Sequence, residues 1–243
     1  METNLIQRNV KIISEIHPQF IGSISELKRM ILQCKINGAD YVKVQLYDSQ
    51  KMFNNKDRTY LEITEKELSE INKFSNDHGI NLTASIFDEK RLEWCDKLNF
   101  DFYKIASATV KNDLNLCKKI ISTNKNILVS LGMYDFSLGK PFNEANVEYL
   151  YCVSKYPTNL YEIHMPEFGE NKLFQGYSDH TVGLAASIYA ASRGAKYIEK
   201  HFSNNKSLNV PTQQAHVCSM DDKDLSEMRK YVDSISLLIN NLK

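Results

Sequence analysis

The chain has 243 residues, 42% of them hydrophobic and 25% charged, and scaling of folded against extended surface lets about three quarters of its surface be buried around one substantial core. Thirty Lys+Arg balance 30 Asp+Glu, which gives no broad positive field for nucleic acid or an anionic membrane, although a local patch can still hold a small anion. Nine Gly and five Pro without a low-complexity tract exclude fibrous and disordered classes, and no run approaches the roughly 20 apolar residues of a membrane span.

In chain order, short β-rich runs alternate with segments of helical period, and no linker-like stretch interrupts them. The expected strands are Val10–Ile16, Tyr41–Leu46, Asn81–Ile86, Phe102–Ser107, Ile127–Leu131, Tyr149–Ser154, Phe174–His180 and Tyr197–Phe202, the seventh being weakest by propensity. Ser23-x-x-Glu26 reads as a capping box for a helix with Ile24, Leu27, Ile31 and Cys34 on one face and Gly38 as its stop. Thr64-x-x-Glu67 opens a second helix, through Leu68, Ile71 and Phe74 or Ser75 to Gly79. Asp88 heads one through Leu92 and Cys95, Asn112 one through Leu116 and Ile120, and Thr181 an Ala-rich one that stops at Gly194. A last helix spaces Leu225, Met228, Val232, Ile235 and Ile239 by threes and fours, whereas 141–174 is less clearly helical. Eight alternations in a chain of this length predict an α/β fold, a (β/α)8 TIM barrel in a single domain over 1–243; a doubly wound sheet stays open because periodicity does not show closure.

The five cysteines, Cys34, Cys95, Cys117, Cys152 and Cys218, are odd in number and lack CxxC spacing, so they read as buried free thiols in a reducing compartment. With no signal-peptide core at the N-terminus, a cytoplasmic protein is the expectation.

Barrel chemistry belongs at the C-terminal ends of the strands, where inward side chains alternate at period 2. Polar residues fall there repeatedly: Glu15, Lys43 and Gln45, Ser85, Lys104 with Ser107, Ser130, Ser154 with Tyr156, Ser178 with His180, and Glu199 with His201. Two lysines among hydroxyls suit a small phosphorylated anion such as a pyruvyl phosphate. His180 and His201, one barrel unit apart, can share a divalent metal and leave positions open for substrate and water. Glu199 points to the same interior and can orient a sugar hydroxyl or accept a proton. Of the other histidines only His17 and His216 lie near the mouth. The polar stretch from Tyr47 to Ile63 is long for a βα connection and reads as a lid or a solvated insertion.

The segments GADYVKVQLY, FYKIAS, VSLGM, YPT, YSDHTVG and YIEKHF resemble, in order and spacing, the strand-end motifs of the N-acetylneuraminate (sialic acid) synthases, from about residue 10 to the end. The resemblance implies manganese at His180 and His201, with Mg²⁺ or Co²⁺ as alternatives. It places phosphoenolpyruvate at Lys43, Ser85, Lys104, Ser107, Ser130 and Ser178, and an acceptor aldose or amino sugar at Glu15, Gln45, Tyr156 and Glu199. Ser154 stands where the family usually has an Asn. Three departures stand out. The family's EIGxNHxG reads Glu15-Ile16-His17-Pro18-Gln19-Phe20-Ile21-Gly22, and its GPD reads Val210-Pro211-Thr212. The family's C-terminal antifreeze-like domain, which donates an arginine to the neighbouring subunit, is not expected within this chain; the altered loops or a separate polypeptide would take its part, and a homodimer is expected. The implied activity is condensation of phosphoenolpyruvate with an open-chain aldehyde sugar to an α-keto sugar acid, with phosphate released. A metal-dependent aldolase or isomerase and a noncatalytic sugar-phosphate-binding subunit remain as alternatives.

Overall fold

The computed structural model describes residues 9–240. Eight parallel strands close in sequence order: β1 Lys11–Glu15, β2 Tyr41–Leu46, β3 Asn81–Ile86, β4 Phe102–Ile105, β5 Asn126–Ser130, β6 Val147–Cys152, β7 Gly176–Asp179 and β8 Tyr197–His201, with β8 returning to β1. The structure is therefore a (β/α)8 barrel. The helices are α1 Ile24–Ile36, α2 Ser49–Phe53, α3 Glu65–Asp77, α4 Glu89–Leu98, α5 Ser107–Asn112, α6 Leu114–Ile121, α7 Ala185–Ser192 and α8 Asp222–Asn240. They are unevenly distributed. Between β5 and β6, and between β6 and β7, the crossovers hold only 3-10 turns, Phe136–Leu138 and Leu160–Glu162, the second of them inside the stretch 141–174 whose helical pattern was weak in sequence.

Several boundaries differ from expectation for local reasons. Ser107 opens α5 and does not continue β4, because the chain turns at Ala106. Asp113, not Asn112, caps α6, its carboxylate accepting from the Leu116 N–H. Thr181 caps no helix, since its hydroxyl donates to Asp179 and α7 starts only after Leu184. Ser23 accepts from the Glu26 N–H, but Glu26 turns to Arg29 and Asn204 and leaves the box half made. The Thr64–Glu67 box is complete. The polar stretch from Tyr47 to Ile63 carries α2 and a 3-10 turn at Thr59–Leu61.

Two apolar layers result. Outward strand residues such as Ile12, Val42, Ala84 and Val129 pack with the inner faces of the helices, among them Leu27, Ile71 and Leu225. Inside the barrel, Ile13, Phe102, Leu128 and Leu150 form a separate plug with Tyr41 and Tyr197. Gly176 is required in that layer: a Cβ there would sit 2.6 Å from the Tyr197 carbonyl oxygen and 2.8 Å from Leu150. Because the plug closes the lower interior, the inward residues one step further along each strand form the floor of the mouth.

Candidate active site

Period 2 carries each strand from an apolar residue in the plug to a polar one above it. Ile13 is followed inward by Glu15, Tyr41 by Lys43 and Gln45, Phe102 by Lys104, Leu128 by Ser130, and Tyr197 by Glu199 and His201. The register keeps the set level: Glu15 lies opposite Lys43 and His201, Ser85 opposite Gln45 and Lys104, and Ser178 opposite Glu199. All thirteen residues singled out from the sequence line one cavity of about 300 Å³.

The mouth has two arcs of different chemistry. On the β2–β5 arc, Lys43 is 3% exposed and pairs with Glu15, donates to Ser85 Oγ at 2.9 Å, and lies 3.7 Å from Glu199. Burial works against its charge, but the carboxylates of Glu15 and Glu199 outweigh it and hold Lys43 above the usual lysine value. Lys104, 2% exposed, donates only to Ser130 Oγ at 2.7 Å and the Ile105 carbonyl at 3.0 Å, with no carboxylate at ion-pair distance among the described residues. Burial therefore depresses its ammonium group. Ser107 Oγ accepts from the Gly132 N–H at 2.9 Å and so fixes the start of α5 beside this lysine.

The β6–β8 and β1 arc carries the imidazoles. His180 and His201 have ring centroids 5.9 Å apart, and Tyr156 covers His180 at 4.1 Å. His180 Nδ1 donates to the Val153 carbonyl at 2.8 Å, and His201 Nδ1 to Gln19 Oε1 at 3.0 Å. Both Nε2 lone pairs are thereby left for a ligand, the arrangement usual for metal-binding histidines. No group of three or more His, Cys, Asp and Glu among the described residues is placed to hold a metal. The residues fit a divalent cation held by two nitrogens and completed by substrate or water, and do not fit a closed structural site. Glu199 Oε1 accepts from Ser178 at 2.9 Å, while its buried Oε2 has no hydrogen-bond partner.

The two carboxyls are pushed in opposite directions. Burial raises Glu15 despite Lys43 beside it; burial also acts on Glu199, but Lys104 and Lys43 together bring it below its ordinary value. Gln45 steadies Glu15 from 3.4 Å and the His17 carbonyl from 3.3 Å. Ser154 stands just beyond β6, 3.8 Å from Cys152 Sγ.

His17 and His216 do not line the cavity. His17 is buried against Phe20 and Tyr47, and burial takes it down to about 3. His216 is held between Ser203 and Gln213. Five contributors escaped the sequence reading. Cys152 faces the cavity at the inward position after Leu150, a place that strand parity alone marks. Gln19 orients His201 from a loop. Asp179 and Lys200 form an ion pair behind the histidines, and Arg58 reaches the rim from the segment after β2.

Fold and mouth together define a barrel protein whose buried lysines and paired imidazoles gather at one end. The chain belongs to the NeuB family, whose description matches residues 30–243. It is 29% identical over 251 residues to the human (Homo sapiens) N-acetylneuraminate-9-phosphate synthase, covering 91% of this chain and 68% of that protein. It is 30% identical over 233 residues to the pseudaminic acid synthase of Helicobacter pylori, covering 83% and 68%. The N-acetylneuraminic acid synthetase of Leptospira borgpetersenii, solved with citrate, superposes with a TM-score of 0.84 at 24% identity, over 95% of this chain and 85% of that one. This chain spans 65% to 68% of the length of such curated relatives. No helix of the described residues is long and apolar enough to cross a membrane.

Proposed function

We propose that the protein condenses phosphoenolpyruvate with an open-chain aldose or amino sugar, forming an α-keto sugar acid of the nonulosonic type and releasing phosphate. The observation that carries this reading is Lys104, a buried ammonium group with no carboxylate at ion-pair distance among the described residues, in the cavity it shares with Ser107, Ser130 and, on β3, Ser85. A cation is kept desolvated at such cost where an anionic ligand completes it. The names of the relatives, N-acetylneuraminate-9-phosphate synthase and pseudaminic acid synthase, support a sugar-acid product of this type.

In this reading the donor lies on the β2–β5 arc, its phosphate and carboxylate against Lys104 and Lys43 and the hydroxyls of Ser85, Ser107, Ser130 and Ser178. The acceptor lies toward Gln45, Tyr156 and Glu199, beside His180 and His201. A divalent ion, Mn²⁺ by family with Mg²⁺ or Co²⁺ as alternatives, would be held by those two imidazoles and would supply Lewis-acid polarisation of the aldehyde oxygen. The donor's C3 attacks the aldehyde carbon, water adds at C2, and the C2–O bond to phosphate breaks. The aldehyde oxygen gains one proton and the added water loses one on addition; the remaining proton of that water passes to the departing phosphate as the C2 hydroxyl becomes the keto oxygen. Glu15, whose carboxyl burial raises against the opposing pull of Lys43, can deliver the first and recover the second, whereas Glu199, held below its ordinary value by Lys104 and Lys43, anchors the sugar.

Incubation with phosphoenolpyruvate, Mn²⁺ and a panel of aldoses and amino sugars should release phosphate only when an aldehyde is present, with a product mass equal to donor plus acceptor plus water minus phosphoric acid. Enolate chemistry without phosphate release would replace this reading with an aldolase or isomerase, and ligand-raised melting without turnover would replace it with a binding subunit.

Gln19→Leu should weaken Mn²⁺ binding about tenfold in calorimetry, the usual scale for loss of an outer hydrogen bond to a metal-binding histidine. Unchanged affinity would show that Gln19 does not orient His201.

A further inference from the structure

The polar floor of the cavity comes from strands; its rim comes from the loops that follow them. Pro18, Met52, Phe53, Phe87 and Ala215 make that rim apolar, and Arg58 sits among them. The guanidinium carbon lies 4.4 Å from the Phe53 ring centroid, and one terminal nitrogen donates to the Pro211 carbonyl at 3.0 Å. Its other N–H groups meet no protein acceptor among the described residues. Carboxylates near the base of this segment do not neutralise it: Asp48, Glu62 and Asp88 are gathered round Arg91. Arg58 is also held in place from outside. Its backbone N–H donates to Ser49 Oγ, the Tyr60 hydroxyl bonds Thr212 Oγ1 at 3.0 Å and accepts from Gln213 Nε2 at 2.7 Å, and Gln213 is fixed in turn by buried His216. The segment after β2 is thus latched across the mouth to the loop after β8.

We infer that Arg58 is an acceptor-binding residue that selects aldoses carrying an anionic group, phosphate or carboxylate, at the end remote from the aldehyde. The inference rests on the proposed condensation. The physical ground is that a planar fork of N–H donors, backed by an aromatic face and set in an apolar rim, binds a phosphate or carboxylate far better than a neutral hydroxyl. The aldehyde end of such an acceptor lies down among the imidazoles and Glu199, and its far end reaches the rim.

The test compares one neutral aldose, its 6-phosphate and its uronic acid as acceptors, with phosphoenolpyruvate and Mn²⁺, in the wild type and in Arg58→Met and Arg58→Lys. The wild type should prefer an anionic acceptor, and the two anionic forms show which group the fork takes. Arg58→Met should lower the ratio of kcat/KM for the anionic over the neutral acceptor by about 10- to 100-fold, the scale of lost charge-assisted hydrogen bonds, acting through the acceptor KM while the KM for phosphoenolpyruvate holds. Arg58→Lys should restore part of the ratio. A wild type indifferent to acceptor charge, or a variant whose ratio is unchanged, overturns the assignment. Should no acceptor be turned over, calorimetric titration of the aldose 6-phosphate separates the two ideas. Binding that is lost in Arg58→Met supports the anion site while the condensation fails; absence of binding to the wild type overturns the anion site as well.

Discussion

Lys104→Met is expected to lose phosphoenolpyruvate binding by roughly 100-fold and yet to melt no lower than the wild type. The two effects are separable because this lysine has no carboxylate at ion-pair distance among the described residues: it holds Ser130 and the Ile105 carbonyl, and the more distant charge of Glu199 does not make up for its desolvation. A methionine of similar length removes that cost, and each kcal/mol regained raises the melting temperature by about 2–4 °C in a chain of this size. Lys43→Met should behave in the opposite way. It strands Glu15 and Glu199, both buried, and breaking such a cluster costs about 3–5 kcal/mol, or about 6–20 °C. Calorimetric titration of the donor with parallel thermal melts reads both. If Lys104→Met proved as destabilising as Lys43→Met, Lys104 would be part of the scaffold and the main support for the donor site would be gone.

The contrast between these lysines also shows where sequence reading stops. Lys43 and Lys104 looked alike, as single lysines inside β-rich runs, and parity placed both on the inner wall. Parity is local: a residue's side of the pleat follows from counting along one strand, so Tyr41–Leu46 and Asn81–Ile86 were legible to the residue and the polar floor with them. Partners are not local. Glu15 reaches Lys43 across 28 residues, and Gln19 reaches His201 across 182, through a loop whose path follows from packing and not from propensity. Ends suffer for the same reason. FYKIAS opens on the β-formers Phe102 and Tyr103, but Ser107 is drawn into a helix start where its hydroxyl meets Gly132 N–H from the next unit. Arg58 lay hidden in a polar stretch that read as a lid or a solvated insertion.

Asp179 was passed over because it faces away from the cavity, and its replacement should nonetheless disturb the mouth. Asp179 and Lys200 are 0% and 1% exposed, on the outer side of β7 and β8, each next in sequence to one of the two imidazoles. The carboxylate accepts from Lys200 Nζ at 3.0 Å, Ser187 Oγ at 2.6 Å, the Thr181 N–H and hydroxyl at 2.8 Å each, and Tyr177 OH at 3.2 Å. Lys200 also donates to the Thr181 carbonyl at 2.6 Å. One buried network therefore grips the chain on both sides of His180 and ties it to the residue preceding His201. Asp179→Ala leaves an unpaired buried ammonium and several orphaned donors, a loss of about 3–5 kcal/mol and about 6–20 °C. Lys200→Met should cost less, about 1–3 kcal/mol, because the carboxylate keeps its other donors, and Asp179→Asn should fall between. In the proposed metal site the same order should appear in Mn²⁺ affinity measured well below each melting temperature, with Asp179→Ala weakened about 10- to 100-fold. Loss of stability with unchanged Mn²⁺ affinity would confine the pair to holding the barrel together, whereas affinity falling in the order given would make it the clamp that keeps both imidazoles aimed at one point.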